Sequence, residues 1–425
     1  MPRTIAHHPH AQEKTMLQTV SEPAHTLDVT HCFDVLVCGG GPAGVAAARA
    51  GARTGLLERT GCLGGIWTAG LLAYFLDVNN KDGLMAEIVQ KLEQRDARGR
   101  HIDGSLNPSF DVEEVKLLLD ELVLDAGVKP LLDTRVASAL VDDSGRLTHA
   151  VAESKSGRHA IGAHTFIDCT GDGDLAARAG CDFDLGHPET GATQPMSLIG
   201  LVGGITREAV RSFYRAGGDS WGEPKERLRL EMERGSHSPS YARPSLFPIR
   251  DDLFLLMANH EYGVSAIDAD QLSEATFRAR RELNQLVSGL RSLGGVWGNL
   301  RLLASANHIG VREGRRIHGR YTVTVDDMVQ GLRHEDAACT ATFGIDVHST
   351  NPTSTKGIEK HAYRIKPYDI PLRALIAKDV DGLMMAGRCI SGDFLAHSSY
   401  RVTGNAVAMG EAAGRYAAER IHTQS

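Results

Sequence analysis

The chain has 425 residues, 42% of them hydrophobic and 23% charged, with a formal net charge of −7. That length allows two or three domains, or one large two-part domain, with ample core. The acidic balance argues against nucleic acid or an anionic membrane as the main partner, and no apolar run approaches the roughly 20 residues that span a bilayer.

The opening stretch, MPRTIAHHPHAQEKTMLQTVSEPAHTLDVT, is polar and lacks the apolar centre of a signal peptide. Residues 1–31 are expected to form a flexible arm, whose histidines fit no defined metal spacing. The seven cysteines, Cys32, Cys38, Cys62, Cys169, Cys181, Cys339 and Cys389, include no CxxC pair. This fits a reducing, cytoplasmic setting, with most of them acting as small buried hydrophobes.

Phe33 to Cys38 is an apolar run that ends at once in glycines. That pattern predicts a buried parallel strand feeding a phosphate turn. The Ala-rich VAAARAGART predicts a helix packed close on a sheet, and GLLE a second strand ending at Glu58. Strand, turn, helix, strand and acid make one βαβ unit of about 25 residues. Gly39, Gly41 and Gly44 fill the three glycine positions: one for the tight turn, one for close approach to a pyrophosphate, one for helix–strand packing. Glu58 lies 19 residues after Gly39, where an acid takes ribose hydroxyls.

A helix is expected around 112–126, with Val112, Val115, Leu119, Leu122, Val123 and Ala126 on one face. Asp111 and Glu114 form a capping box there, and Gly127 a stop. DDSG and KSG turns divide 134–162 into a β-meander. FIDCTGDGDLAARAG then gives a second strand, glycine turn and helix, with Gly171, Gly173 and Ala176 at the turn. A second dinucleotide site would need another apolar strand ending in an acid about 20 residues on. Glu189 stands there without such a strand, so this segment is expected to return to the first cofactor. From about 186 to 345 Gly, Pro and His are frequent; FPIRDDLFLLMAN predicts a strand pair and LSEATFRARRELNQLVSGLRSL a long helix. DGLMMAGR and GNAVAMGEAAGRYAAERI then restore the first texture. They predict a strand ending in Gly387 and a helix with Thr403 as N-cap. Ala406, Gly410 and Gly414 give that helix a small face for close approach to the sheet.

DVLVCGGGPAGVAAARAGARTGLLERTGCLGGIWTAGLL resembles the opening of FAD-dependent oxidoreductases of the glutathione-reductase structural superfamily. More narrowly, it resembles a bacterial family typified by GGGPAG followed by ER.G.LGG..T.GL. DCTGDGDLAARAG, TQPMSL, IGVREGRRIHGRYTVTVDD, GIDVH, YDIPLRALI and LMMAGRCISGDFLAHSSYRVTGNAVAMGEAAG agree in order, over roughly 32–421. The resemblance implies an α/β fold, with a glutathione-reductase-like FAD-binding Rossmann domain and β-meander at 32–185 and 365–425. A second, substrate domain would occupy 186–364. It implies FAD held at its pyrophosphate by Gly39, Gly41, Pro42, Ala43 and Gly44, and at its adenosine ribose by Glu58 and Arg59. Gly64, Gly65 and Thr68 would line the flavin side, and Val136 would hold adenine. Thr170, Gly171 and Asp172 would return to the cofactor, with Gly387, Arg388, Gly404 and Asn405 near the ribityl and isoalloxazine. A helix N-terminus at that last place stabilises the negative charge of a reduced flavin. The sequence departs from the family at Cys62, Cys169 and RVTG. A Cys62 thiol near the flavin raises covalent attachment, which the lack of a nearby partner cysteine disfavours.

For chemistry, His397 and Arg401 in HSSYR lie between the last strand and the last helix. The spacing is similar to HGANR of fumarate reductase flavoproteins, and histidine suits a base near neutral pH. Asp346 and His348 alternate on one expected strand face. No third ligand accompanies them, and no metal site is expected. Arg312, Arg315 and Arg316 suit either an anionic substrate or interdomain ion pairs. Trp67 and Tyr74 suit a pocket wall or plain burial. The expected activity is an FAD-dependent dehydrogenase or oxidase that removes a hydride from a small polar metabolite, sugar-like or a natural product. Oxygen or an external acceptor would take the electrons, with no nucleic-acid or membrane partner; a homo-oligomer is compatible. The alternatives are a flavin monooxygenase or halogenase, although no WxWxIP segment surrounds Trp67, Trp221 or Trp297, and a non-redox flavin isomerase or RNA-modifying module.

Overall fold

β1 (Val29–Cys38) runs through the predicted apolar strand and begins before it, because Val29 already pairs with Ala160. The computed structural model describes residues 19–422 apart from positions 25, 50 and 217, so most of the expected arm lies outside the described residues. After β1 come α1 (Pro42–Ala48), β2 (Thr54–Leu57), α2 (Gly83–Gln94), and a hairpin of β3 (Arg98–Arg100) and β4 (Leu106–Phe110). Then follow α3 (Val112–Asp125), β5 (Lys129–Leu131), and the meander of β6 (Arg135–Val141), β7 (Leu147–Ser154) and β8 (Gly157–Asp168).

β8 organises the main sheet. Its first half pairs antiparallel with β7, its second half parallel with β17 (Leu383–Met385), and β1 lies parallel along its other edge. β2 and β5 extend the parallel side beyond β1, and β6 extends the meander. β2 and β17 are buried at every residue, as parallel strands covered on both faces are. The fold is α/β with a parallel, Rossmann-like sheet. The carboxyl ends of β1, β2, β8 and β17 share one edge, where such sheets bind ligands.

α9 (Thr403–His422) packs against α1 and the main sheet. Its small face meets α1 rather than the sheet: a Cβ on Gly410 would lie 2.1 Å from the Ala43 carbonyl oxygen. Thr403 is the first helical residue and not the N-cap. In α3 the Asp111 carboxylate accepts the Glu113 and Glu114 amides, but its own amide donates to Ala97 O, so the capping box is half formed. Ala126 is exposed because α3 ends at Asp125 and Ala126 is its C-cap, and Leu118 joins the buried face instead. After β8 the helix α4 (Asp174–Arg178) is short, and the next strand, β9 (Phe183–Asp184), pairs antiparallel with β14 (Arg316–Ile317). No second βαβ unit forms there.

A second, antiparallel sheet contains β10 (Gly200–Gly203), β11 (Ser245–Pro248), β12 (Leu253–Met257) and β13 (Arg301–Ser305), in the order β11-β12-β10-β13. α5 (Glu223–Arg234) and α6 (Ala269–Ser292) pack on it around Leu228, Met232, Phe254, Leu283 and Trp297, a core separate from that of the main sheet. β15 (Ala337–Ala341) pairs with β16 (Tyr368–Pro371), and the short helices α7 (Val325–Gln330) and α8 (Phe394–Tyr400) lead towards α9. Among the described residues no helix is long and apolar enough to cross a membrane.

Candidate active site

The site begins at the β1–α1 turn. A Cβ on Gly39 would stand 2.3 Å from Cys169 O, and one on Gly44 would stand 1.7 Å from Gly39 O, whereas one on Gly41 would meet nothing within 4 Å. Two glycines therefore serve packing and the third faces open space. Glu58, at the end of β2, locks the turn: Oε2 accepts the Gly40 amide at 2.7 Å, and Oε1 accepts the Thr60 amide at 2.8 Å. Gly41, Pro42 and Ala43, at the start of α1 and the positive end of its dipole, border the same space.

The returning segment closes the far wall. Asp168 is fully buried; its Oδ1 accepts the Thr170 amide at 2.9 Å and its Oδ2 the Ala176 amide at 2.9 Å. Gly171 (φ +86°) lies under the Arg388 guanidinium, whose Nη2 is 2.7 Å from Asp172 Oδ1. A Cβ on Gly387 (φ +94°), just past β17, would stand 3.4 Å from the Ala43 side chain.

One cleft joins these parts. Gly39, Gly41, Pro42, Ala43, Glu58, Arg59, Gly65, Val136, Thr170, Gly171, Gly387, Arg388 and Arg401 line it. Other expected residues stand behind the wall. Gly44 packs on Gly39, Gly64 donates its amide to Gly40 O, and the Thr68 hydroxyl donates to Leu63 O. Asp172 holds Arg388, Gly404 packs on the Leu76–Asp77 backbone, and Asn405 is buried. Cys62 is absent from the lining, its Sγ lying 3.7 Å from the Thr68 hydroxyl. Trp67 is buried against Phe75 and Phe110, while Tyr74 packs on Phe247 beside a smaller pocket. His308, Ile309 and Val311 also line the cleft, and no motif pointed to them. Burial, then the Arg59 and Arg388 charges, push His308 down to about 4.

The polar atoms at the α9 end fit an FAD. Thr403 Oγ1, both polar atoms of the Asn405 side chain, Arg388 Nε, Arg401 Nε and His308 Nδ1 are buried with no hydrogen-bond partner among the described residues. Such groups cost about 1–3 kcal/mol each when left unpaired. A large polar ligand in the cleft satisfies those that face it.

His397 is wholly buried on α8, edge-on to Tyr400, and lines no part of the cleft. Burial, with Arg316, Arg401 and Arg388 nearby, holds its pKa well below the ordinary histidine value. His348 and Asp346 lie in a loop rather than a regular strand, with one isolated bridge from His348 to Ile358. Their side chains still converge: His348 Nε2 is 3.5 Å from Asp346 Oδ2, which is itself 3.5 Å from Arg401 Nη2. On the other side His348 Nδ1 is 3.0 Å from His260 Nε2, and His260 Nδ1 is 3.1 Å from the Tyr262 hydroxyl. Burial, then Arg312, pushes His348 down to about 3. Burial works against the Asp346 carboxylate, yet His348, Arg401 and Arg312 hold it well below the usual range. Among the described residues no group of three or more His, Cys, Asp or Glu is arranged to hold a metal ion.

Residues 34–425 match the family model described as FAD dependent oxidoreductase. No curated protein sequence matches the chain significantly. Among solved structures it is similar to the flavin-dependent brominase Bmp2, at 12% identity and a TM-score of 0.50, covering 92% of this chain and 81% of that one. It is also similar to a geranylgeranyl bacteriochlorophyll reductase-like protein from Thermoplasma acidophilum, at 13% identity and a TM-score of 0.45, covering 93% and 80%. At 12% identity the likeness to the brominase is one of fold. The family match spans nearly the whole chain and includes every wall of the cleft, so the chain belongs to the FAD dependent oxidoreductase family, as an enzyme whose cofactor is FAD.

Proposed function

We propose that the chain is an FAD-dependent dehydrogenase or oxidase that removes a hydride from a small polar metabolite. In this reading 186–364 is a substrate domain set against a glutathione-reductase-like FAD domain. The series Asp346–His348–His260–Tyr262, which ends beside Arg401 on the cleft wall, carries the proposal. FAD, when bound, supplies the two-electron acceptor. Oxidation at CH–OH or CH–NH also releases a proton, and the chain must take it up.

The series suits that task. Each imidazole turns one nitrogen to each neighbour, so a proton accepted at Asp346 leaves at Tyr262 through tautomer exchange at His348 and His260. Neither ring has to hold a net charge in its buried setting. Arg401 Nη2 donates to Asp346 O at 2.8 Å and to Gln194 Oε1 at 3.3 Å, which fixes the loop bearing the acid against the cleft. His397, buried and away from the cleft lining, is a weaker candidate for the proton acceptor.

The test is anaerobic bleaching of the flavin against a panel of hydroxy, amino and sugar metabolites. A bleaching metabolite that is recovered oxidised supports the reading. Oxygen consumption driven by NAD(P)H, without bleaching by any metabolite, would transfer it to a monooxygenase. Conversion with no electrons passed to an artificial acceptor would transfer it to an isomerase.

A further inference from the structure

Three arginines stand in the segment VREGRR, and the fold separates them. Arg315 pairs with Asp174 at 3.0 Å and bonds the Asp172 carbonyl; Arg316 pairs with the buried Glu313 and bonds Gly186 O. Both are structural ties. Arg312 has no such acid. Its Nη1 donates to Pro195 O at 2.6 Å and Ser197 Oγ at 3.0 Å, and its Nη2 meets only the Met257 sulfur at 3.9 Å. The Nε–Nη2 edge, the one that grips a carboxylate with two parallel bonds, has no oxygen acceptor among the described residues. Arg401 is held against the same Gln194–Ser197 stretch, through Gln194 Oε1, and its Nε is also unpartnered.

The groups whose charge bears on Arg312 are Arg401, then Tyr241, Asp346 and Tyr262, and Asp346 is the one carboxylate among them. Two guanidiniums thus share one carboxylate, and that carboxylate is already engaged by Arg401 and His348. Burial, then Arg401, pushes Arg312 down to about 10, so it stays charged at neutral pH with no carboxylate of its own. Lys225, which lies over the Trp221 ring, adds a further cation that senses Asp346. A half-buried cation with no carboxylate of its own is costly and persists where a ligand supplies the opposite charge. The placement is also specific: Val311 lines the cofactor cleft, Arg312 follows it directly, and the Arg312 charge bears on both His260 and His348.

We propose that Arg312 and Arg401 form an anion subsite that clamps a carboxylate of the substrate beside the proton-accepting series. This rests on the preceding reading and narrows its substrate to a small carboxylate-bearing metabolite. Such a clamp does two things. It fixes the substrate by charge and by geometry. It also neutralises the arginine charges that depress His348 and Asp346, so both become better proton acceptors only when substrate is bound.

The test uses the FAD-saturated protein and reads the visible flavin spectrum and the thermal midpoint against malonate, malonamide and inorganic phosphate. Malonate is expected to perturb the flavin spectrum and raise the midpoint, binding at least about tenfold tighter than malonamide. Arg312→Gln is expected to weaken malonate about 10- to 100-fold with FAD content unchanged, as losing a charged hydrogen-bonded pair implies. Arg312→Lys should recover part of that loss. Should the Gln variant fail to fold, the comparison of malonate with malonamide in the unaltered protein still decides. Equal binding of the two, no response to malonate, or a malonate Kd within twofold after Arg312→Gln overturns the clamp. Phosphate binding more tightly than malonate overturns the carboxylate assignment. Malonate bound as expected while no carboxylate-bearing metabolite bleaches the flavin fails at the preceding reading instead, which separates the two failures.

Discussion

His348 Nδ1 and His260 Nε2 stand 3.0 Å apart, between two imidazoles that are only 5% and 3% exposed. Two neighbouring buried histidines cannot both be charged, and the Arg312 charge bears on each. Both are therefore neutral at pH 7, and the contact is a hydrogen bond between tautomers.

His348→Gln should keep FAD and lower the rate of flavin reduction by substrate about 10²- to 10⁴-fold, the usual weight of a general base. Stopped-flow reduction checks this. His397→Leu should change that rate little, because the ring is outside the cleft. If the effects are reversed, His397 is the proton acceptor.

Acid should destabilise the protein early. His348 titrates near 3 when folded, against an ordinary value of 6.5. Above pH 6.5 neither state binds the proton, so it adds no slope. Between 6.5 and about 3 only the unfolded chain binds it, so stability falls with falling pH by up to about 1.4 kcal/mol per unit. His308, near 4, acts in the same direction between 6.5 and 4. Unfolding free energy measured from pH 7 to 5 should fall steeply, and His348→Gln should remove close to one proton from the slope.

The turn glycines should separate folding from cofactor binding. Gly44→Ala forces a Cβ onto the Gly39 carbonyl and should cost about 3 kcal/mol or more. Gly41→Ala meets nothing in the protein, so the chain should fold normally and lose FAD. Circular dichroism and flavin content distinguish the two. A Gly41→Ala protein with full flavin content would contradict the phosphate role of the turn.

Thr403→Val replaces a buried hydroxyl that lines the cleft and has no partner among the described residues. Without FAD this should be neutral or stabilising. With FAD it should weaken cofactor affinity about tenfold, read by flavin fluorescence on titration. Unchanged affinity would make Thr403 a packing residue only.

The cleft's glycine turn and its acid read directly from chain order. Gly39, Gly41 and Gly44, the strand before them and Glu58 lie within about 25 consecutive residues. What they do is local: a turn, a helix start and an acid at the next strand end. The meander and the long helices were legible for the same reason, since period and turn chemistry act over short range. Capping details were less so, because Asp111 and Thr403 answer to neighbours such as Ala97 that no local pattern names. Tertiary structure alone decided the chemical end. Gln194, His260, Arg312, Asp346 and Arg401 come from five separate stretches and share no spacing. Arg388 reaches Asp172 across 216 residues of chain. Three arginines in six residues looked alike until packing gave acids to two of them and left Arg312 without one. The reason is physical: a charge's role depends on which opposite charges and acceptors surround it in space, and chain order does not carry that.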